Sequence, residues 1–180
     1  MNLQVSLIAL GTLLVSAAMM AFDYPQDAVI YEGAAGDTKV KITASVRPFS
    51  RASHTTTELQ GAGSEKGRGA EPATVDGKVV VGTDRTLPED GVPQLSNLTI
   101  WFGERKVSVP TAYLYHVFVP NLRPANIQKG HAHTLVAFSA DARAVWLSLG
   151  VGDGGGSSTY SLIVTVDGKV SLAPVQRPEP

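Results

Sequence analysis

AVWLSLGVGDGGGSSTYSLIVTVDGKVSLA, Ala144–Ala173, is the stretch whose pattern decides the fold. Val145, Leu147 and Leu149 alternate with Ala144, Trp146 and Ser148; after a glycine-rich connection, Leu162, Val164 and Val166 alternate with Ser161, Ile163 and Thr165. Side chains two residues apart share one side of an extended chain, so both runs read as strands with an aliphatic face and a small or polar face. Asp167-Gly168 is a strong hairpin-turn dipeptide, and Lys169 to Ala173 follows it as a last strand. Upstream, His133 to Phe138 precedes a turn over residues 139–143, which makes the C-terminal third a meander.

The same pattern recurs toward the N-terminus. Leu98, Ile100 and Phe102 share a side opposite Thr99 and Trp101, and Val107 and Val109 share a side opposite Lys106 and Ser108. The turn over Gly103-Glu104-Arg105 joins these two runs as a hairpin. Val40, Ile42, Ala44 and Val46 alternate with Lys39, Lys41, Thr43 and Ser45, and Lys78 to Val81 is a short strand led in by Asp76-Gly77. Thr111 to Val119, between Pro110 and Pro120, fits either a buried strand or one or two helical turns capped by Thr111, with the short helix preferred. The expected fold is mainly β: an antiparallel meander sheet or small sandwich with at most one short helix, behind an N-terminal hydrophobic leader helix.

The chain has 180 residues, enough for one domain at residues 22–173 after a leader at residues 1–21. Residues 47–77 are rich in Ser, Thr, Gly, Glu and Arg, which predicts a flexible loop, and residues 174–180, with three prolines, predict a disordered tail. A net charge of −1, with no basic stripe, argues against nucleic acid as a partner. The chain contains no cysteine, which excludes disulfides, thiolate metal sites, a cysteine nucleophile and a leader lipid on cysteine.

Met1 to Phe22 carries no charged side chain, and its apolar run ends in Ser16-Ala17-Ala18. Small residues there suit a signal-peptide cleavage site, while Leu3 to Phe22 is about the 20 residues that span a hydrocarbon core. The segment is therefore a signal peptide or a membrane anchor. The remainder of the chain is expected to be exported: periplasmic, secreted or tethered at the cell envelope. Membrane contact through residues 1–22 is expected if the leader is retained.

No motif for nucleophilic catalysis or phosphate cradling is present; Gly61 to Gly67 has the composition of a phosphate loop without its spacing. An enzyme is the less favoured reading, and no cofactor is expected. His131 and His133 are two apart and would reach one metal from an extended strand, with His54 or His116 to complete a set. The loop around Gly152, Asp153 and Gly154 has the flexibility of an anion nest, with too few carboxylates for calcium. Asn97-Leu98-Thr99 matches the glycosylation acceptor pattern.

Sorting strands by face is more informative. Both tryptophans, Trp101 and Trp146, fall on the small or polar side of their strands. Either another element covers them or they supply flat contact area to a protein or glycan partner, with Lys106 and Tyr160 as neighbours. The expectation is thus a non-catalytic binding or envelope-interaction domain. A metal protein or hydrolase built on His131 and His133 is one alternative, and an envelope structural protein using residues 47–77 as an arm is another.

Overall fold

The computed structural model describes residues 28–58, 71–125, 134–152 and 158–173. The leader, the tail, His131, His133, Asp153 and Gly154 lie outside the described residues. Among those described, the protein is mainly β, its strands pair antiparallel, and helix is limited to two single 3-10 turns.

The first sheet has the order β1-β2-β6-β7, built from β1 (Ala28–Ala35), β2 (Thr38–Pro48), β6 (Pro93–Phe102) and β7 (Arg105–Ser108). Between β2 and β6 the chain forms a small second sheet of β3 (Thr56–Thr57), β4 (Thr74–Val75) and β5 (Lys78–Val79). The third sheet has the order β11-β10-β9-β8, from β8 (Leu135–Phe138), β9 (Ala144–Val151), β10 (Ser158–Thr165) and β11 (Val170–Leu172). That last sheet is the predicted meander, and its β9–β10 register sets Leu147 against Leu162 and Val145 against Val164.

The aliphatic faces assigned from sequence meet in one core. Ile42, Leu98, Ile100, Leu147, Leu149 and Leu162 are all fully buried in a single cluster drawn from both four-stranded sheets. A fully buried Leu or Ile contributes roughly 1.5–3 kcal/mol relative to exposure. This shared layer therefore dominates stability.

Strand β1 was not evident in the sequence, because a register shift between Val29 and Tyr31 breaks its alternation. The bulge leaves Ile30 fully buried one residue from Tyr31, whose ring packs on Phe138 with centroids 5.4 Å apart. The edge strands are short or interrupted: β7 has 4 residues, β8 has 4 and β11 has 3, while β1 carries the bulge. Its Ile30 carbonyl already accepts the Ala125 amide at 2.7 Å.

Two expectations need adjustment. Thr111 to Val119 forms only the 3-10 turn Thr111–Tyr113, with Pro110 rather than Thr111 at the cap position and no side-chain capping bond. Beyond it, Val117 and Phe118 turn to bridge Val81 and Gln94, and the demand of those backbone partners stops the helix. The flanks of residues 47–77 are also more ordered than their composition predicts. Phe49, Ala73 and Val75 join Val80 and Phe118 in a separate buried cluster beneath the small sheet, and residues 59–70 lie outside the described part.

Phe49→Ala is expected to destabilise the protein by about 3–5 kcal/mol, the range for deleting a buried aromatic side chain. Urea denaturation of the variant measures this directly; a loss under about 1 kcal/mol, within the range of an ordinary surface substitution, would show that the small cluster adds nothing to the fold.

Candidate functional site

The outer face of the first sheet carries the clearest arrangement for contact. Register places Glu32 opposite Lys41, Lys41 opposite Trp101, and Trp101 opposite Lys106, so one row crosses all four strands. The next row holds Val29, Thr43, Thr99 and Ser108. Strand neighbours lie about 4.8 Å apart, so the indole is flanked on both sides by lysine stems. Lys106 Nζ stands 5.7 Å above the ring, a cation–π distance. Trp101 is half-buried beneath this lysine, and Lys106 is exposed. Among the described residues neither lysine is in an ion pair.

The four residues grouped from sequence do not form one site. Trp146 belongs to β9, on the outer face of the other four-stranded sheet, between Ala137 and Ile163 in the register. The two tryptophans therefore lie on opposite sides of the sheet pair. Trp146 is half-buried, and its Nε1 is buried without a hydrogen-bond partner among the described residues. Tyr160 is not beside either of them: it shares the aliphatic face with Leu162, is 5% exposed, and donates its hydroxyl to the Tyr113 carbonyl at 2.5 Å. Burial pushes its phenol well above the ordinary tyrosine range. On the outer face of the same sheet, Ser148 and Ser161 stand opposite one another and are hydrogen-bonded at 2.9 Å.

A second arrangement surrounds His54, at the end of the 3-10 turn Arg51–Ser53. Its ring is stacked between Phe49, at 5.5 Å and 19°, and Tyr115, at 6.1 Å and 25°. His54 Nδ1 lies 2.7 Å from Asp76 Oδ2, and Asp76 Oδ1 accepts the Thr55 amide at 2.8 Å. Those bonds to the charged form, the His54 contact foremost, hold the Asp76 carboxyl below its ordinary value. With Nδ1 donating to the carboxylate, Nε2 is left as the acceptor facing Gln94 Nε2 at 3.5 Å. Gln94 is fully buried; it also donates to the Tyr115 carbonyl at 2.5 Å and accepts from Arg47 Nε at 3.0 Å.

A carboxylate that orients an imidazole is the support used for a general base. Here Nε2 faces the buried Gln94 amide, so the pair links the turn between β4 and β5 to β6. His54 and Asp76 are 22 residues apart and Gln94 is 40 from His54, which no local motif could have revealed. Among the described residues, no three His, Cys, Asp or Glu side chains gather to hold a metal. His54 and His116 thus form no such set with each other, and the His131 and His133 pair lies outside the described residues. Gly152 donates its amide to the Val119 carbonyl at 3.0 Å, so this amide is engaged within the protein.

His116 is the other titratable group of note. It is 6% exposed, its Nδ1 has no partner among the described residues, and the edges of Tyr115 and Tyr160 pack on it at 5.7 and 5.4 Å. Burial, with a smaller contribution from the Lys78 charge, pushes its pKa down from 6.5 to about 4. No protein-family model, curated protein or solved structure matches this chain.

His116 gives stability a defined pH dependence. Above pH 6.5 it is neutral in both folded and unfolded chains and contributes nothing to the slope. Between pH 6.5 and about 4 the unfolded chain takes up a proton the folded one refuses, so stability falls as pH falls, by about 3 kcal/mol in all. The Asp76 contribution is lost only further into acid, below its ordinary value of 3.8. Urea midpoints measured from about pH 7.5 to 4 should trace this slope in the native chain, and His116→Phe should flatten it.

Proposed function

We propose that this chain is an exported, non-catalytic binding domain of small β-sandwich form, free or tethered at the cell envelope. It acts on a protein or glycan partner through the outer face of its first sheet. The observation that carries the reading is the row Lys41–Trp101–Lys106, where a half-buried indole lies between two lysines that form no ion pair among the described residues. Tryptophan presents a large rigid area with little entropy to lose, and it stacks on sugar rings or partner side chains. In the next row Ser108 is exposed and supplies a short polar group beside the indole, while Thr43 and Thr99 are buried. Export is supported by the composition of Met1 to Phe22, an uncharged apolar segment poorly suited to cytosol.

Trp146→Phe leaves Trp101 as the sole tryptophan and isolates its signal. Acrylamide is expected to quench this emission readily, and a panel of envelope glycans and extracts should contain a component that shifts it. Trp101→Ala should abolish capture of that component by the immobilised domain while leaving the melting temperature nearly unchanged. Blue-shifted, unquenched Trp101 emission would sink the reading, since the ring would then be closed to any partner.

A further inference from the structure

Among the described residues there are two separate buried clusters, and one short segment belongs to both. From residues 113–119, Leu114 and Val117 enter the core between the four-stranded sheets, whereas Tyr115, Phe118 and Val119 pack with the smaller cluster under β3, β4 and β5. This seam is closed by main-chain bonds: Val81 N donates to the His116 carbonyl at 2.9 Å, Phe118 N to the Val81 carbonyl at 2.9 Å, and Leu95 N to the Val117 carbonyl at 2.9 Å. It is also tight. A side chain on Gly82, where φ is +97°, would put its Cβ 2.2 Å from the Phe118 carbonyl oxygen. Val119 holds φ at +46°, a costly conformation for a β-branched residue that the closed seam maintains.

His116 sits in the middle of this seam. Among the described residues, the groups seen around it offer no partner for a second positive charge. From β5, Lys78 contributes a cation whose Nζ donates to the Ala112 carbonyl at 2.7 Å and lies over Tyr113 and Tyr115. From its own segment come Tyr113 and Tyr115, and from β10 comes the edge of Tyr160, whose hydroxyl is committed to Tyr113. The Asp76 carboxylate is occupied by His54, which stacks on Tyr115, and by the Thr55 amide. An imidazolium at this position would be desolvated, beside Lys78 and unpaired. Such a charge is relieved by opening to water.

We propose that the seam is an acid-operated latch, in which protonation of His116 releases the small sheet, with residues 49–58 and 71–82, from the paired four-stranded sheets. Release exposes Phe49, Val75, Val80 and Phe118 while leaving the larger core closed. The two clusters share no buried residue, which permits one to open without the other. Depressed proton affinity at His116 agrees with the geometry and sets the opening between pH 6.5 and 4. The latch is independent of any partner at Trp101.

Amide hydrogen exchange tests it, with rates corrected for intrinsic pH dependence and compared at about pH 7, above the opening range, and about pH 4.5, well within it. At the lower pH, amides of residues 49–58 and 71–82 should lose roughly tenfold or more of their protection, with those of β9 and β10 unchanged. His116→Phe and, should that pack badly, His116→Gln should keep the small sheet protected in acid. Simultaneous loss of protection in β9 and β10 would overturn the proposal by showing one cooperative unit. So would full protection of the native chain in acid, or equal opening in both neutral variants.

Discussion

The two four-stranded sheets are held to each other by one layer of aliphatic side chains, and no covalent bond assists them because the chain contains no cysteine. Residues such as Leu98, Ile100, Leu147 and Leu162 serve this layer because strict alternation aims them inward. The outer faces are then free to carry lysine, serine, threonine and tryptophan. A one-residue slip in a strand such as β2 would bury a lysine and expose an isoleucine, so register here is fixed by the core. The row that crosses Trp101 exists only because that register holds in three successive pairings.

The small sheet depends on a different kind of bond. Its strands are two residues each and bury few side chains, too little to stand alone. Gln94 makes up the deficit, because a single buried amide joins Arg47, Tyr115 and His54, and through His54 reaches Asp76. Each partner lost would strand another buried polar group, at a cost of about 1–3 kcal/mol. Polar bonding of this sort is directional, which gives the small sheet a defined orientation that an apolar contact alone would not.

Strand identity and facing were legible wherever alternation was regular, as in β9, β10 and the β6–β7 hairpin. Tyr160 was expected beside the tryptophans, but it lies in the same alternation as Leu162 and Val164 and is buried with them. Two things were not legible. Strand β1 hid behind its bulge, and the second cluster hid because Phe49, Ala73, Val75, Val80 and Phe118 are scattered singly among polar residues. The His54, Asp76 and Gln94 network shares that cause: its members come together only when β6 and the small sheet are in place. As for function, the exposure pattern of tryptophans was readable as a face, but their assignment to opposite sheets needed the strand order.

Among the described residues, the two larger sheets leave four open borders, and each is built to be a poor template. An incoming chain at β7, β8 or β11 would find only three or four residues of backbone to pair with, and at β1 it would meet a bulge and an already occupied Ile30 carbonyl. Intermolecular ladders begun at β7, β8 or β11 would run out after a few bonds, and one begun at β1 would be broken at its bulge. Among the described residues, the borders of the two larger sheets thus disfavour edge-to-edge recruitment of a second copy.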